Sequence, residues 1–206
     1  MIVSRLLFTQ KDMALLKMTD PYSLHRVVYG CFPLGAPGEA GETPHAGRGH
    51  DASFLYADNG MRDGQRQVVV LSHIPPKAPH WGTLESKPLP DSLLKHERYR
   101  FYLVVNPVRR ENASRKLVPV RGQAVRQWFC DKTPSWGFQA DPDQLEIVEQ
   151  GVWKFVKKDS PVTLAFVKVS GTLRVTDAER FKESFCMGIG KGKAFGLGML
   201  QIIPLV

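Results

Sequence analysis

A strand followed by a firmly punctuated helix opens this chain, and the same order recurs halfway along it. Ile2 to Phe8 is an apolar run of strand character. Asp20 then stands where a side-chain oxygen can cap a helix, and Pro21 where its fixed φ suits the first helical turn. In the second half Tyr99–Val105 is strongly β-prone and is halted at Asn106-Pro107; Lys116–Val120 then leads into a helix from about Gly122 to Cys130.

The remaining segments extend that pattern. Ser53–Ala57 and Gln67–Ser72 read as short strands, with Asp58-Asn59-Gly60 as the turn between them. Gly35–Gly49 is crowded with Gly, Pro and small polar residues and reads as a mobile loop after the first helix. Pro75–Pro90 contains five prolines and reads as irregular structure with an edge strand, leading to a domain boundary near residue 95. Farther on, Leu145–Val148 and Val152–Val156 are strand material, Val162–Val175 is a long or bent strand, Asp177 caps a helix reaching about Met187, and Leu197–Ile203 is a closing strand. The expected fold class is α+β: each half reads roughly as β–α–β–β–(α)–β, giving two tandem ferredoxin-like (RRM-like) βαββαβ domains, 1–95 and 96–206.

The 206 residues carry a formal charge of +8, which suits a polyanionic partner but does not require one. Its distribution says more. Residues 1–96 hold 10 Lys+Arg against 9 Asp+Glu, whereas residues 97–206 hold 18 against 11, so the excess sits in the C-terminal half. Cys31, Cys130 and Cys186 stand far apart without zinc or redox spacing, and read as buried thiols in a reducing compartment. No run approaches the roughly 20 apolar residues that span a bilayer, and the N-terminus lacks a small-residue cleavage site. The expectation is a cytoplasmic protein that binds no membrane.

On the first helix Leu24, Val27, Val28, Cys31 and Phe32 form one apolar stripe. Tyr22, His25, Arg26 and Tyr29 share nearly the opposite face and are expected at the surface. RNA carries its own nucleophile, the ribose 2′-hydroxyl. Cleavage needs a group to take its proton, a group to protonate the departing 5′-oxygen, and a cation near the phosphate. An imidazole with an ordinary pKa of about 6.5 can perform either proton transfer. A phenol, with a pKa of about 10, suits donation or positioning, and Arg26 suits the phosphate. The products of that route are a 2′,3′-cyclic phosphate and a 5′-hydroxyl, with no metal or other cofactor. His45, His50, His73, His80 and His96 show no metal-ligand spacing.

Three segments in order carry a resemblance to a known family. Pro21-Tyr22-Ser23-Leu24-His25-Arg26 resembles the first-helix Tyr-x-x-His motif of the CasE family. Phe101-Tyr102-Leu103-Val104-Val105-Asn106-Pro107 resembles its strand ending in Asn-Pro, and Gly188 to Leu200 is similar to its C-terminal glycine-rich loop and last strand. The resemblance implies a tandem ferredoxin-like endoribonuclease that cuts CRISPR repeat RNA at the base of its stem-loop without metal. It also implies a subunit of the type I-E Cascade complex that keeps the product hairpin, alongside the other Cascade subunits. By motif match, Tyr22 and His25 occupy the family's catalytic positions. The Gly35–Gly49 loop is longer than the family's usual one.

Gly188, Gly190, Gly192, Gly196 and Gly198 do not make a dinucleotide site, because a helix precedes them and a strand follows. With Lys191 and Lys193 beside them they suit an RNA-backbone clamp. Arg109, Arg110, Arg115, Lys116, Arg126, Lys154, Lys157 and Lys158 are candidates for gripping the phosphates of an A-form stem, whose deep major groove hides its base edges. Trp136 and Trp153 suit either base stacking or the core. A non-catalytic tandem RNA-binding subunit is the alternative, and the Tyr22/His25 face is what separates the two.

Overall fold

The computed structural model describes residues 1–32, 54–111 and 116–205. The Gly35–Gly49 segment and Arg115 lie outside the described residues.

The first half is built on one antiparallel sheet. β1 (Ile2–Phe8) is followed by a short helix α1 (Gln10–Leu15), which the sequence did not reveal, and by α2 (Pro21–Gly30). β2 (Phe54–Arg62), β3 (Gln65–Ser72) and β4 (Thr83–Pro88) complete it. The strand order is β2-β3-β1-β4, which is the ferredoxin-like order. β4 is the expected edge strand, pairing with β1 from Ile2 opposite Pro88 to Leu7 opposite Thr83. The link between β3 and β4 forms no helix, so the second helix of the pattern is absent from this half. Its prolines explain that, since each removes a donor and pushes its predecessor out of the helical region.

The hairpin turn lies later than expected. β2 runs past Asp58-Asn59-Gly60, which makes an irregularity in the pairing, and the chain reverses at Asp63-Gly64, both at positive φ (49° and 77°). Asp58 explains the shift. Its carboxylate accepts the Gly60 N–H at 3.0 Å and a forked contact from the Arg66 guanidinium of β3, at 2.6 Å for the shorter arm. That pairing is partly buried and fixes Asp58 against β3, whereas the Arg5–Glu85 pair is exposed and worth about 0–1 kcal/mol.

The second half repeats the plan. β5 (Arg98–Val105) leads to a small ribbon, β6 (Val108–Arg110) with β7 (Leu117–Pro119), and then to α3 (Ala124–Lys132) and β8 (Phe138–Ala140). β9 (Glu146–Lys157) and β10 (Ser160–Val175) form a long hairpin, followed by α4 (Ala178–Met187) and β11 (Gln201–Pro204). The two expected pieces around Gly151 are therefore one strand, and the closing strand is shorter than expected. The order β11-β5-β10-β8, with β9 also on β10, is again ferredoxin-like.

Strand alternation divides the core. In β2, Tyr56 packs with Leu6, Phe8, Val68 and Val70 under Leu24 and Val28 of α2, while Leu55 and Ala57 point the other way, against Phe185 and Met199 of the second half. The expected helix stripe is buried, except that Val27 is only partly covered. The largest cluster joins Tyr99, Phe101, Phe129, Phe138 and Phe181, and Trp136 packs edge-on against Phe129, a core role. Trp153 stacks on Phe166 at 4.6 Å between ring centres. Across the halves, the side-chain amides of Asn59 and Gln201 exchange two hydrogen bonds, each 3.0 Å. Among the described residues no helix is long and apolar enough to cross a membrane.

Candidate active site

The site begins with a helix start that holds its first turn rigidly. Asp20 accepts the Ser23 N–H at 2.7 Å, and Ser23 Oγ accepts the Asp20 N–H at 2.9 Å, a reciprocal cap worth about 1 kcal/mol. With Leu24 and Val28 fixed on the sheet, the helical period turns Tyr22, His25 and Tyr29 away from it.

That face does not look into solvent as expected. It meets the C-terminal half at the turn Lys193–Phe195 and along β9, so that His25 is partly buried. His25 Nδ1 lies 2.6 Å from the Ala194 carbonyl oxygen, and Tyr56 Oη donates to the same oxygen at 2.9 Å. The imidazole centre stands 4.0 Å from that of Tyr29, 5.8 Å from Phe195 and 5.9 Å from Tyr22, nearly parallel to the last. Phe195 in turn packs edge-on against Phe155, and Lys157 Nζ lies 5.6 Å from its ring centre. Arg26 is exposed on the rim of this group.

The chemistry follows from the hydrogen bond. A carbonyl oxygen only accepts, so Nδ1 carries the proton and the neutral ring keeps its lone pair on Nε2. Burial lowers the pKa of His25 from its ordinary value, and the Lys157 charge lowers it further, against the opposing pull of the Ala194 carbonyl. The ring is therefore neutral near pH 7 and can take a proton. Burial raises the pKa of the Tyr29 phenol, keeping it protonated.

Two glycines make the turn possible. Gly192 and Gly196 flank it at φ +84° and +80°, where L side chains are strained. A Cβ on Gly196 would sit 2.9 Å from the Tyr56 ring. Gly196 therefore seats the turn against the first half, while Gly192 lies against Leu197 and Leu164 of the second. Gly188 lies against Leu55, and Gly198 donates to the Val104 carbonyl at 2.6 Å; Gly190 and Lys191 are exposed.

The basic candidates fall into separate groups. Lys154 and Lys158 are exposed on the β9–β10 hairpin beside Lys157, which reaches the His25 group through Phe195. Arg109, Arg110 and Lys116 are exposed on the β6–β7 ribbon, which Trp128 anchors to α3 by a bond from Nε1 to the Val108 carbonyl at 3.2 Å. Arg126 donates to the Pro142 carbonyl at 2.9 Å, and Lys193 donates to the Met187 carbonyl at 2.7 Å, closing the end of α4. Burial lowers the Lys193 pKa. Sequence reasoning missed Tyr56, Ala194, Phe155 and Phe195. Only the paired glycines around residue 194 hinted at a fixed turn.

Comparison with known proteins gives a consistent setting. A family model described as CRISPR associated protein matches residues 1–204. The CRISPR-associated endoribonuclease Cse3 of Thermus thermophilus is 29% identical over 150 residues, covering 61% of this chain and 69% of that protein. A structure of the CRISPR endoribonuclease Cse3 bound to 19 nt RNA superposes with a TM-score of 0.78 at 22% identity, over 99% of this chain and 100% of that one. A chain of a CRISPR RNA-guided surveillance complex, in a pre-nicking state, matches with a TM-score of 0.72 at 17% identity over the full length of both. These two likenesses establish the shared fold.

Proposed function

The chain belongs to the CRISPR associated protein family, and from that premise we propose that it is a metal-independent endoribonuclease. It cuts CRISPR precursor RNA within the repeat, at the base of the stem-loop. It then stays on the product hairpin as a subunit of Cascade in the cytoplasm. The named activity of the Thermus relative and the RNA-bound structure of Cse3 support the substrate class. The full-length match within a surveillance complex supports the subunit role.

The observation that carries the reaction is the 2.6 Å contact between His25 Nδ1 and the Ala194 carbonyl. With Nδ1–H committed to that oxygen, Nε2 takes the proton of the 2′-hydroxyl. That oxygen attacks phosphorus, the P–O5′ bond breaks, and the departing 5′-oxygen takes a proton from the imidazolium so formed or from the Tyr22 phenol. Tyr22 positions or donates to the reacting group, while Lys157 and Arg26 supply positive charge near the phosphate. Residues 1–95 carry the catalytic helix, α2. Residues 96–206 hold the stem through phosphate contacts from Lys154, Lys158 and Lys191, with Arg109, Arg110, Arg115, Lys116 and Arg126 forming further contacts.

A labelled repeat hairpin incubated with the protein in excess EDTA tests the reading. The expected products are one fragment ending in a 2′,3′-cyclic phosphate and one beginning with a 5′-hydroxyl. Tight binding without cleavage would leave only the RNA-binding subunit.

A further inference from the structure

Tyr56 is unusual among the core aromatics because its polar end leaves its own half of the molecule. The ring is 1% exposed and packs with Leu6, Phe8, Val68 and Val70 beneath α2. Its hydroxyl donates to the Ala194 carbonyl, in the turn contributed by the second half. The Ala194 carbonyl oxygen has two lone pairs, and it accepts from two groups, Tyr56 Oη at 2.9 Å and His25 Nδ1 at 2.6 Å. Gly196 completes the seat, since nothing larger fits between that turn and the Tyr56 ring.

We propose that Tyr56 is a positioning residue for RNA cleavage: through the Ala194 carbonyl it holds His25 in the tautomer protonated on Nδ1, leaving Nε2 free to act. This rests on the reading of His25 as the proton-transfer group. A turn carbonyl held by His25 alone can rotate with its peptide plane, taking the ring's orientation with it. A second donor, fixed in the core, removes that freedom. Tyr56 serves this purpose because burial raises its phenol pKa well above the ordinary value, so it remains a donor at every working pH. Neither touching RNA nor moving a proton is part of its role.

Tyr56→Phe keeps the packed ring and removes the hydroxyl. Three readouts go together: the single-turnover cleavage rate, the hairpin Kd, and the ¹⁵N signals of labelled histidine at about pH 8, with His25 assigned by difference from His25→Gln. Wild type should show protonated Nδ1 and a lone pair on Nε2. The variant should show a mixture of tautomers and a rate lower by about 10-fold, typical of losing an orienting partner, with Kd unchanged. An unchanged rate, an unchanged tautomer, or a rate loss matched by weaker hairpin binding would each overturn the proposal. Should the variant not fold, a wild-type ring protonated on Nε2 still overturns the proposal. Should wild type not cleave, the reading of His25 fails, while the tautomer signals still report whether Tyr56 positions the ring.

Discussion

His25 of the first half and Ala194 of the second are joined by a hydrogen bond of 2.6 Å, from an imidazole nitrogen to a main-chain oxygen 169 residues away. This contact makes the site a property of both halves. α2 supplies the group that titrates, and the glycine-flanked turn supplies the acceptor that fixes its tautomer.

Disturbing the turn should therefore cost activity beyond its cost in stability. Gly196→Ala meets a strained φ of +80° and the Tyr56 ring at 2.9 Å. The backbone strain alone costs about 1–2 kcal/mol, and displacement of the Ala194 carbonyl should slow cleavage at least ~10-fold. Gly60→Ala is the control, since φ is +72° there but nothing lies within 4 Å of the added carbon. It should lower the thermal midpoint by the backbone strain alone and leave the cleavage rate unchanged. Equal rates in the two variants would contradict the role of the turn.

The lowered pKa of His25 has a consequence for stability. Above its ordinary value of 6.5 the ring is neutral in both folded and unfolded chains, and it adds no pH dependence. As pH falls below 6.5 the unfolded chain takes up the proton first, so the folded state loses stability until the pH reaches the lower folded pKa. Urea midpoints measured at about pH 7.5 and about pH 5.5 should fall less for His25→Gln than for wild type. Parallel falls would show that the ring is not held neutral.

Two neighbouring lysines should separate by function. Lys193 donates to the Met187 carbonyl, so Lys193→Met should lower stability by about 1 kcal/mol and leave the salt dependence of hairpin binding nearly unchanged. Lys191 is exposed on the same segment. Lys191→Ala should leave stability unchanged and reduce the slope of log K against log salt by about one, as loss of one phosphate contact requires. Binding titrations at several salt concentrations, beside thermal melts, distinguish the two.

What could be read from the sequence was set by local chemistry. Asp20-Pro21 and Asp177 marked the starts of α2 and α4 at the observed residues, because caps act within one turn. Asp58-Asn59-Gly60 misled because its composition suits a turn as well as Asp63-Gly64 does. The contact that chose between them, Arg66 on Asp58, depends on strand register. The turn between β9 and β10 carries no glycine, only Lys158 and Asp159 at positive φ, and was marked in the sequence only by the polar gap between Val156 and Val162.

The site divides the same way. His25 and Tyr22 were legible from helical spacing and the motif. Ala194 was not, because a main-chain acceptor has no residue-type signature. Tyr56 alternates in β2 like any core aromatic, and Lys193 showed its charge but not the carbonyl that engages it.

The most direct test compares wild type with His25→Ala on the repeat hairpin in excess EDTA, under single-turnover conditions, alongside a wild-type reaction on a hairpin carrying a 2′-deoxy sugar at the cut. The account predicts a rate at least ~10²-fold lower for His25→Ala, with hairpin affinity retained, and no cleavage of the 2′-deoxy substrate. A His25→Ala protein that cuts at the wild-type rate, or a wild type that cuts the deoxy substrate, would contradict it.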